Sequence, residues 1–207
     1  MAERTRALNR LHVLLRDFLS DTVSKQLSAD AASRLLRRVI PRDEPARTRK
    51  RLASEVVRDV RALDRRIADL DERIRREVEA SGTTLTEIFG VGTILAAKIV
   101  GIAGNVARFP SKAHFASYAG VVPIEASSGE VIRHRLSLAG NRSLNKVLHM
   151  IAVCQARSDP RGGVYLRKKL AEGKSRREAM RCLKRRIADA VFKALLADSQ
   201  LALQTVS

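Results

Sequence analysis

From Ala53 to Ile74 the apolar residues Val56, Val60, Leu63, Ile67, Leu70 and Ile74 follow one another at alternating steps of four and three, with neither Gly nor Pro between them. No other feature restricts the fold as strongly. A stripe with this spacing shares one face of an α-helix and would be scattered over both faces of a strand. The intervening positions carry Arg, Asp and Glu, and residues 51–80 hold 8 basic and 8 acidic groups, the pattern of a solvated helix flank. The stripe is a coiled-coil seam of about three heptads, short enough to suit either pairing with another chain or a long helix lying on its own domain.

The rest of the chain extends the helical reading. Leu8, Leu11, Leu15 and Leu19 repeat at helical steps, Ser28 to Val39 does the same, and Pro41 and Pro45 interrupt before the long helix begins. Aromatic residues make up 3% of the 207 residues and Trp is absent, so the apolar content is chiefly Ala, Leu, Val and Ile. That mixture disfavours a β-sandwich or barrel and predicts a mainly α fold. No window approaches the roughly eighteen apolar residues of a membrane span, and the N-terminal MAERTRALNR has no apolar signal core, so a cytoplasmic protein without membrane contact is expected. Cys154 and Cys182 sit in helical apolar patterns far from metal-ligand spacing and are read as core thiols.

Charge is concentrated toward the C-terminus. Residues 131–207 hold 17 basic and 5 acidic groups, contributing +12 of a formal net +18. A basic excess of this size and clustering is the footprint of a polyanion binder, because each Lys or Arg laid on a phosphate releases condensed counterions. The basic residues accompany Gly and Ser motifs, without the Trp/Phe-rich face of a membrane-surface helix.

Four local patterns carry candidate chemistry. Leu85, Ile88, Gly90, Val91, Gly92, Ala96 and Ile99 have the grain of a helix-hairpin-helix over residues 83–102, in which backbone N–H groups beside Gly90, Gly92 and Thr93 suit a phosphate. Ser111 reads as the N-cap of a helix ending near Tyr118, itself read as core packing. Gly120 to Gly140 lacks helical periodicity and reads as an ordered loop or small hairpin holding Ser127-Ser128-Gly129 and Arg133-His134-Arg135. A helix then starts at Asn141 or Ser143, a shorter one covers Tyr165 to Leu170, and the Ser175–Glu178 capping box launches a basic amphipathic helix with Arg181, Lys184, Arg185 and Arg186 exposed.

Gly90-Val91-Gly92, Arg108-Phe109-Pro110, Phe115 to Gly120, Pro123, Ser127-Ser128-Gly129 and Gly140-Asn141-Arg142, in that order and spacing, resemble the C-terminal half of a bacterial insertion-sequence transposase family. These are the DEDD-type, bridge-RNA-guided serine recombinases, and the resemblance covers roughly residues 48–195. It implies a helical linker over 1–47, a coiled-coil helix over 48–80 and a helical transposase domain over 81–199. In the family, four carboxylates in a RuvC-like domain bind Mg²⁺. That domain would precede Met1, so the chain is expected to be a truncated or split transposase, inactive alone and without a metal site or cofactor of its own.

The resemblance also implies Ser128 as the nucleophile on the scissile phosphate, with Ser127 as the alternative. Arg133, His134, Arg135 and Arg142 would meet the phosphate, His134 serving as a proton acceptor. The expected partners are DNA, a guide (bridge) RNA and a second copy of the chain through the coiled coil. The competing reading is a non-enzymatic DNA- or RNA-binding module, built from the helix-hairpin-helix and the basic helix and dimerised by the coiled coil.

Overall fold

The computed structural model describes residues 2–16, 18, 27–125, 134–136 and 140–205. The architecture is mainly α, and the chain divides into two compact units, Met1–Arg73 and Ile74–Ser207.

In the first unit, α1 (Ala2–Arg16), α2 (Ala29–Arg38) and the N-terminal part of α3 (Glu44–Ala80) enclose a small apolar core. Leu11 and Leu15 from α1 meet Ala32 and Leu36 from α2 and Ala53, Val56, Val57 and Val60 from α3. Ser28 caps α2 through its hydroxyl, which accepts from the Ala31 amide at 3.1 Å. Asp30 accepts from Arg61 at 2.7 Å, and Arg4 pairs with Asp64. Such partly exposed ion pairs add little beside the burial of the leucines and valines. The α3 stripe is therefore used unevenly: Val56 and Val60 are buried within the unit, Leu63 and Ile67 are half-buried, and Leu70 is 42% exposed.

The second unit is organised on α8 (Arg176–Thr205), whose Leu183, Ile187, Val191 and Leu195 form one buried stripe. Against it pack α5 (Lys112–Tyr118), α6 (Arg142–Ser158) and α7 (Pro160–Ala171), contributing Phe115, Leu144, Val147, Leu148 and Ile151, and Leu166, while α4 (Thr93–Ala103) packs on α6 and adds Ala96 and Ile99 to the same core. Phe115 is fully buried, with the Phe109 ring edge-on to it at 5.2 Å and Phe192 at 5.7 Å. The helix starts follow the expected chemistry. Ser111 caps α5, Asn141 caps α6, Asp159 caps α7 ahead of Pro160, and Ser175 exchanges hydrogen bonds with Glu178. The short helix expected from Tyr165 begins five residues earlier because that cap sits at Asp159.

Between α5 and α6 the backbone forms a two-stranded antiparallel ribbon, β1 (Pro123–Glu125) with β2 (His134–Leu136), in register Pro123 to Leu136 and Glu125 to His134. Ser127, Ser128 and Arg133 lie outside the described residues.

Val60 is fully buried among apolar side chains whereas Leu70 is not. Val60→Asp should therefore lower stability by at least about 3 kcal/mol, by placing a carboxylate in that core. Leu70→Asp should stay within about 0.5 kcal/mol unless the exposed seam is covered by another helix. Urea unfolding together with mass in solution reads both outcomes. A loss of mass on Leu70→Asp identifies α3 as a pairing surface.

Candidate nucleic-acid interface

The turn at Gly90 is built as the hairpin pattern requires on one side and differently on the other. Gly90 has φ of +86°, and a Cβ on it would stand 3.2 Å from Cys154 Cβ, so a side chain would meet backbone strain and a tight contact. Gly92 is the N-cap of α4 with φ of −81°, and a Cβ there would meet nothing within 4 Å. Sterics therefore demand the first glycine only. The helix expected before the turn is a single 3-10 turn, Thr84–Glu87. It is short because its start is tied to α8: Asp198 accepts from the Thr84 amide at 3.1 Å and from the hydroxyls of Thr83 and Thr84 at 2.7 Å each. Its end is tied to α6, where Gln155 Nε2 donates to the Phe89 carbonyl at 2.8 Å. Gly92, as the N-cap of α4, has no side chain with which to cap that helix.

The more constrained construction lies where the chain leaves α5 and returns to α6. Gly120 has φ of +64°, and a Cβ on Gly140 would fall 2.3 Å from Gly120 Cα, so the two backbones touch where the ribbon begins and ends. The Asn141 amide donates to the Tyr118 carbonyl at 2.7 Å, and Asn141 Nδ2 donates to the Tyr118 hydroxyl at 3.0 Å. One turn on, Asn145 Nδ2 donates to the carbonyls of Ala119 (2.9 Å) and Gly120 (2.8 Å). Asn145 Oδ1 accepts from Lys184 Nζ at 2.9 Å. One amide side chain thus joins α5, α6 and α8 at the base of the Gly120–Gly140 excursion.

Lys184 is 7% exposed, which corrects its placement on the solvent face of α8. Its position explains the burial: it lies one turn after Met180 and one before fully buried Ala188, on the stripe that faces α6. Burial pushes its ammonium below the ordinary 10.5, and the neighbouring Arg181 charge acts in the same direction. The folded state then holds fewer protons than the unfolded one across the window between the lowered value and 10.5. The contribution of this group to stability rises with pH through that window and is lost as pH falls through the folded value.

The other predicted contacts divide by position. Arg142 is exposed in the first turn of α6, while His134 and Arg135 lie on β2. On α8, Arg181 and Arg185 are half-buried, Arg185 Nε stands 3.3 Å from Asp189, and Arg186 is exposed with its guanidinium 5.0 Å from the centre of the Tyr165 ring. Asn145, Asp198 and Gln155 were not identified by sequence reasoning, because their partners lie 25 or more residues away. Cys154 packs beneath Gly90, and both cysteines are free and half-buried.

Two outcomes separate these roles. Lys184→Gln should lower the melting temperature and leave the salt dependence of nucleic-acid binding unchanged, whereas Arg181→Gln should reduce the slope of log K against log salt by about one. Gly140→Ala should destabilise by more than about 2 kcal/mol in urea, because neither backbone of the Gly120 contact is the end of a flexible side chain.

Comparison with known proteins finds similarity to transposases and insertion-element proteins. Residues 82–167 match the transposase IS116/IS110/IS902 family. An uncharacterized 43.6 kDa protein of insertion element IS110 from Streptomyces coelicolor is 33% identical over 129 residues, which is 61% of this chain and 32% of that protein. The 44.8 kDa protein of insertion element IS116 from Streptomyces clavuligerus is 29% identical over 186 residues, covering 88% of this chain and 45% of the relative. The 42 kDa protein of IS900 from Mycobacterium paratuberculosis is 29% identical over 182 residues, covering 85% and 44%. The chain spans between about a third and a half of the length of these relatives. The unit that holds the Gly90 turn and the Asn145 junction is therefore similar to the transposase IS116/IS110/IS902 family, and its relatives are insertion-element proteins.

Proposed function

We propose that this chain is the strand-exchange part of an insertion-sequence transposase, binding DNA and a guide RNA and presenting Ser128 to a DNA phosphate. The observation that carries the reading is the coincidence of the family match over residues 82–167 with the junction that holds both ends of the Gly120–Gly140 excursion. A nucleophilic loop needs a base that does not shift when substrate binds, and a junction of this kind supplies one.

The reaction is a transesterification. Ser128 Oγ attacks phosphorus, the bond from phosphorus to one deoxyribose oxygen breaks, and the DNA end is held as a phosphoserine ester. His134 takes the serine proton and returns it to the departing sugar oxygen, while Arg133, Arg135 and Arg142 offset the charge that builds on the phosphate. Attack by a second strand's hydroxyl re-forms a phosphodiester and frees the serine. One ester replaces another, so no oxidant or nucleotide hydrolysis is required. Among the described residues no three His, Cys, Asp or Glu side chains come together as a metal site.

Incubation of the chain with nicked DNA and a RuvC-like domain should yield a protein–DNA adduct that survives denaturation. Ser128→Ala should abolish the adduct while leaving DNA affinity nearly unchanged. An adduct formed by Ser128→Ala would overturn the assignment and point to Ser127. Retained binding with no adduct from the wild-type chain would favour a non-enzymatic binding module instead.

A further inference from the structure

Beside the ribbon base, α7 and α8 enclose a cleft of about 340 Å³ with Val121, Tyr165 and Cys182 among its lining. The volume falls within the range of roughly 300–1,000 Å³ for small-ligand sites. Lys169 in its wall is paired with Glu172 at 2.7 Å. Lys174 and Arg181 also line the cleft, and among the described residues neither forms an ion pair. The carboxylate that lines the cleft with them, Glu178, is committed: its Oε2 accepts from the Ser175 amide at 2.9 Å and the Ser175 hydroxyl at 2.7 Å. Those hydrogen bonds, helped by the charges of Arg181 and Lys174, hold its carboxyl below the usual range, so it stays in the capping box as a fixed anion.

The cleft thus combines an apolar and aromatic interior with two cations that lack a partner of their own. That is the chemistry of one nucleotide: a flat base that leaves water and a phosphate that needs positive charge. Duplex DNA or RNA cannot use such a site, because a paired base has no reach into a cleft between two helices. A nucleotide outside a helix can. Val121 is the residue immediately after Gly120, so a nucleotide held here lies at the root of the excursion that carries Ser127 and Ser128.

We infer that the Tyr165–Lys174–Arg181 cleft captures a single unpaired nucleotide, its base against Tyr165, Val121 and Cys182 and its phosphate on Lys174 and Arg181. The inference rests on the nucleic-acid reading above and adds a preference that reading does not contain. The capture site would hold a strand at an unpaired position while the neighbouring phosphate is exchanged.

The test is fluorescence anisotropy of the full chain with labelled duplexes that contain one unpaired nucleotide, and with the same duplexes fully paired, in a DNA arm and an RNA arm. The wild type should favour the unpaired form on the order of tenfold, the scale of one base stacked on an aromatic ring. K174Q/R181Q, which changes two residues outside the buried core, should reduce that preference to near unity and weaken binding to the paired duplex far less. Y165L, which keeps an apolar wall, should also remove the preference. The arm that shows the effect identifies the strand as DNA or RNA. Equal affinity for unpaired and paired forms, or a preference unchanged in K174Q/R181Q, would overturn the cleft assignment and leave nucleic-acid binding standing. No binding to any of the four probes would overturn both.

Discussion

The second unit depends on what Asn145 does with its single amide. Two carbonyls in succession, Ala119 and Gly120, end α5 without continuing it, and Asn145 Nδ2 satisfies both. Its Oδ1 in turn satisfies a buried ammonium on α8. Each of these groups left alone would carry the desolvation cost of an unpaired buried polar atom, about 1–3 kcal/mol and more for the charge. Because a single side chain serves them all, the position of the ribbon base is set by the α6–α8 packing and not by the ribbon itself.

The close backbone contact of Gly120 with Gly140 follows from the same arrangement. With Asn145 holding the outgoing strand and Asn141 bonded to Tyr118, the incoming and outgoing chains are brought so near that no Cβ fits between them. Tyr118 closes the other side, its ring 4.6 Å from the Arg108 guanidinium and 5.2 Å from Phe109. Its half-buried state fits a residue with an apolar ring and a hydroxyl that is used. The Gly90 turn is fixed from the same helices, by Gln155 of α6 and Asp198 of α8. The Gly90 turn and the backbone at Gly120 are therefore held by the same two helices.

How much of this could be read from residues alone depends on sequence distance. Periodicity marks α3 and the buried stripe of α8, and capping chemistry marks Ser28, Ser111, Asn141 and Ser175, because these signals lie within a few positions of one another. Lys184 shows how a correct pattern is misapplied. Its spacing from Met180 and Ala188 puts it on the apolar face, yet the charge suggested solvent, and only the partner Asn145, 39 residues away, makes the buried position tenable. The bonds from Asp198 to Thr83 and Thr84 span more than 110 residues and leave no local trace. Gly140 resembles an ordinary turn glycine until Gly120 is beside it.

Amide hydrogen exchange on the wild type and on Asn145→Ala tests the support role most directly. The informative amides are Val121, which donates to the Ala116 carbonyl at 3.0 Å, and Asn141, which donates to Tyr118. If Asn145 sets the ribbon base, both are protected in the wild type, and both lose protection in the variant, while the amides of α1 and α2 keep theirs. Unchanged protection of Val121 and Asn141 in a folded Asn145→Ala protein would contradict the account.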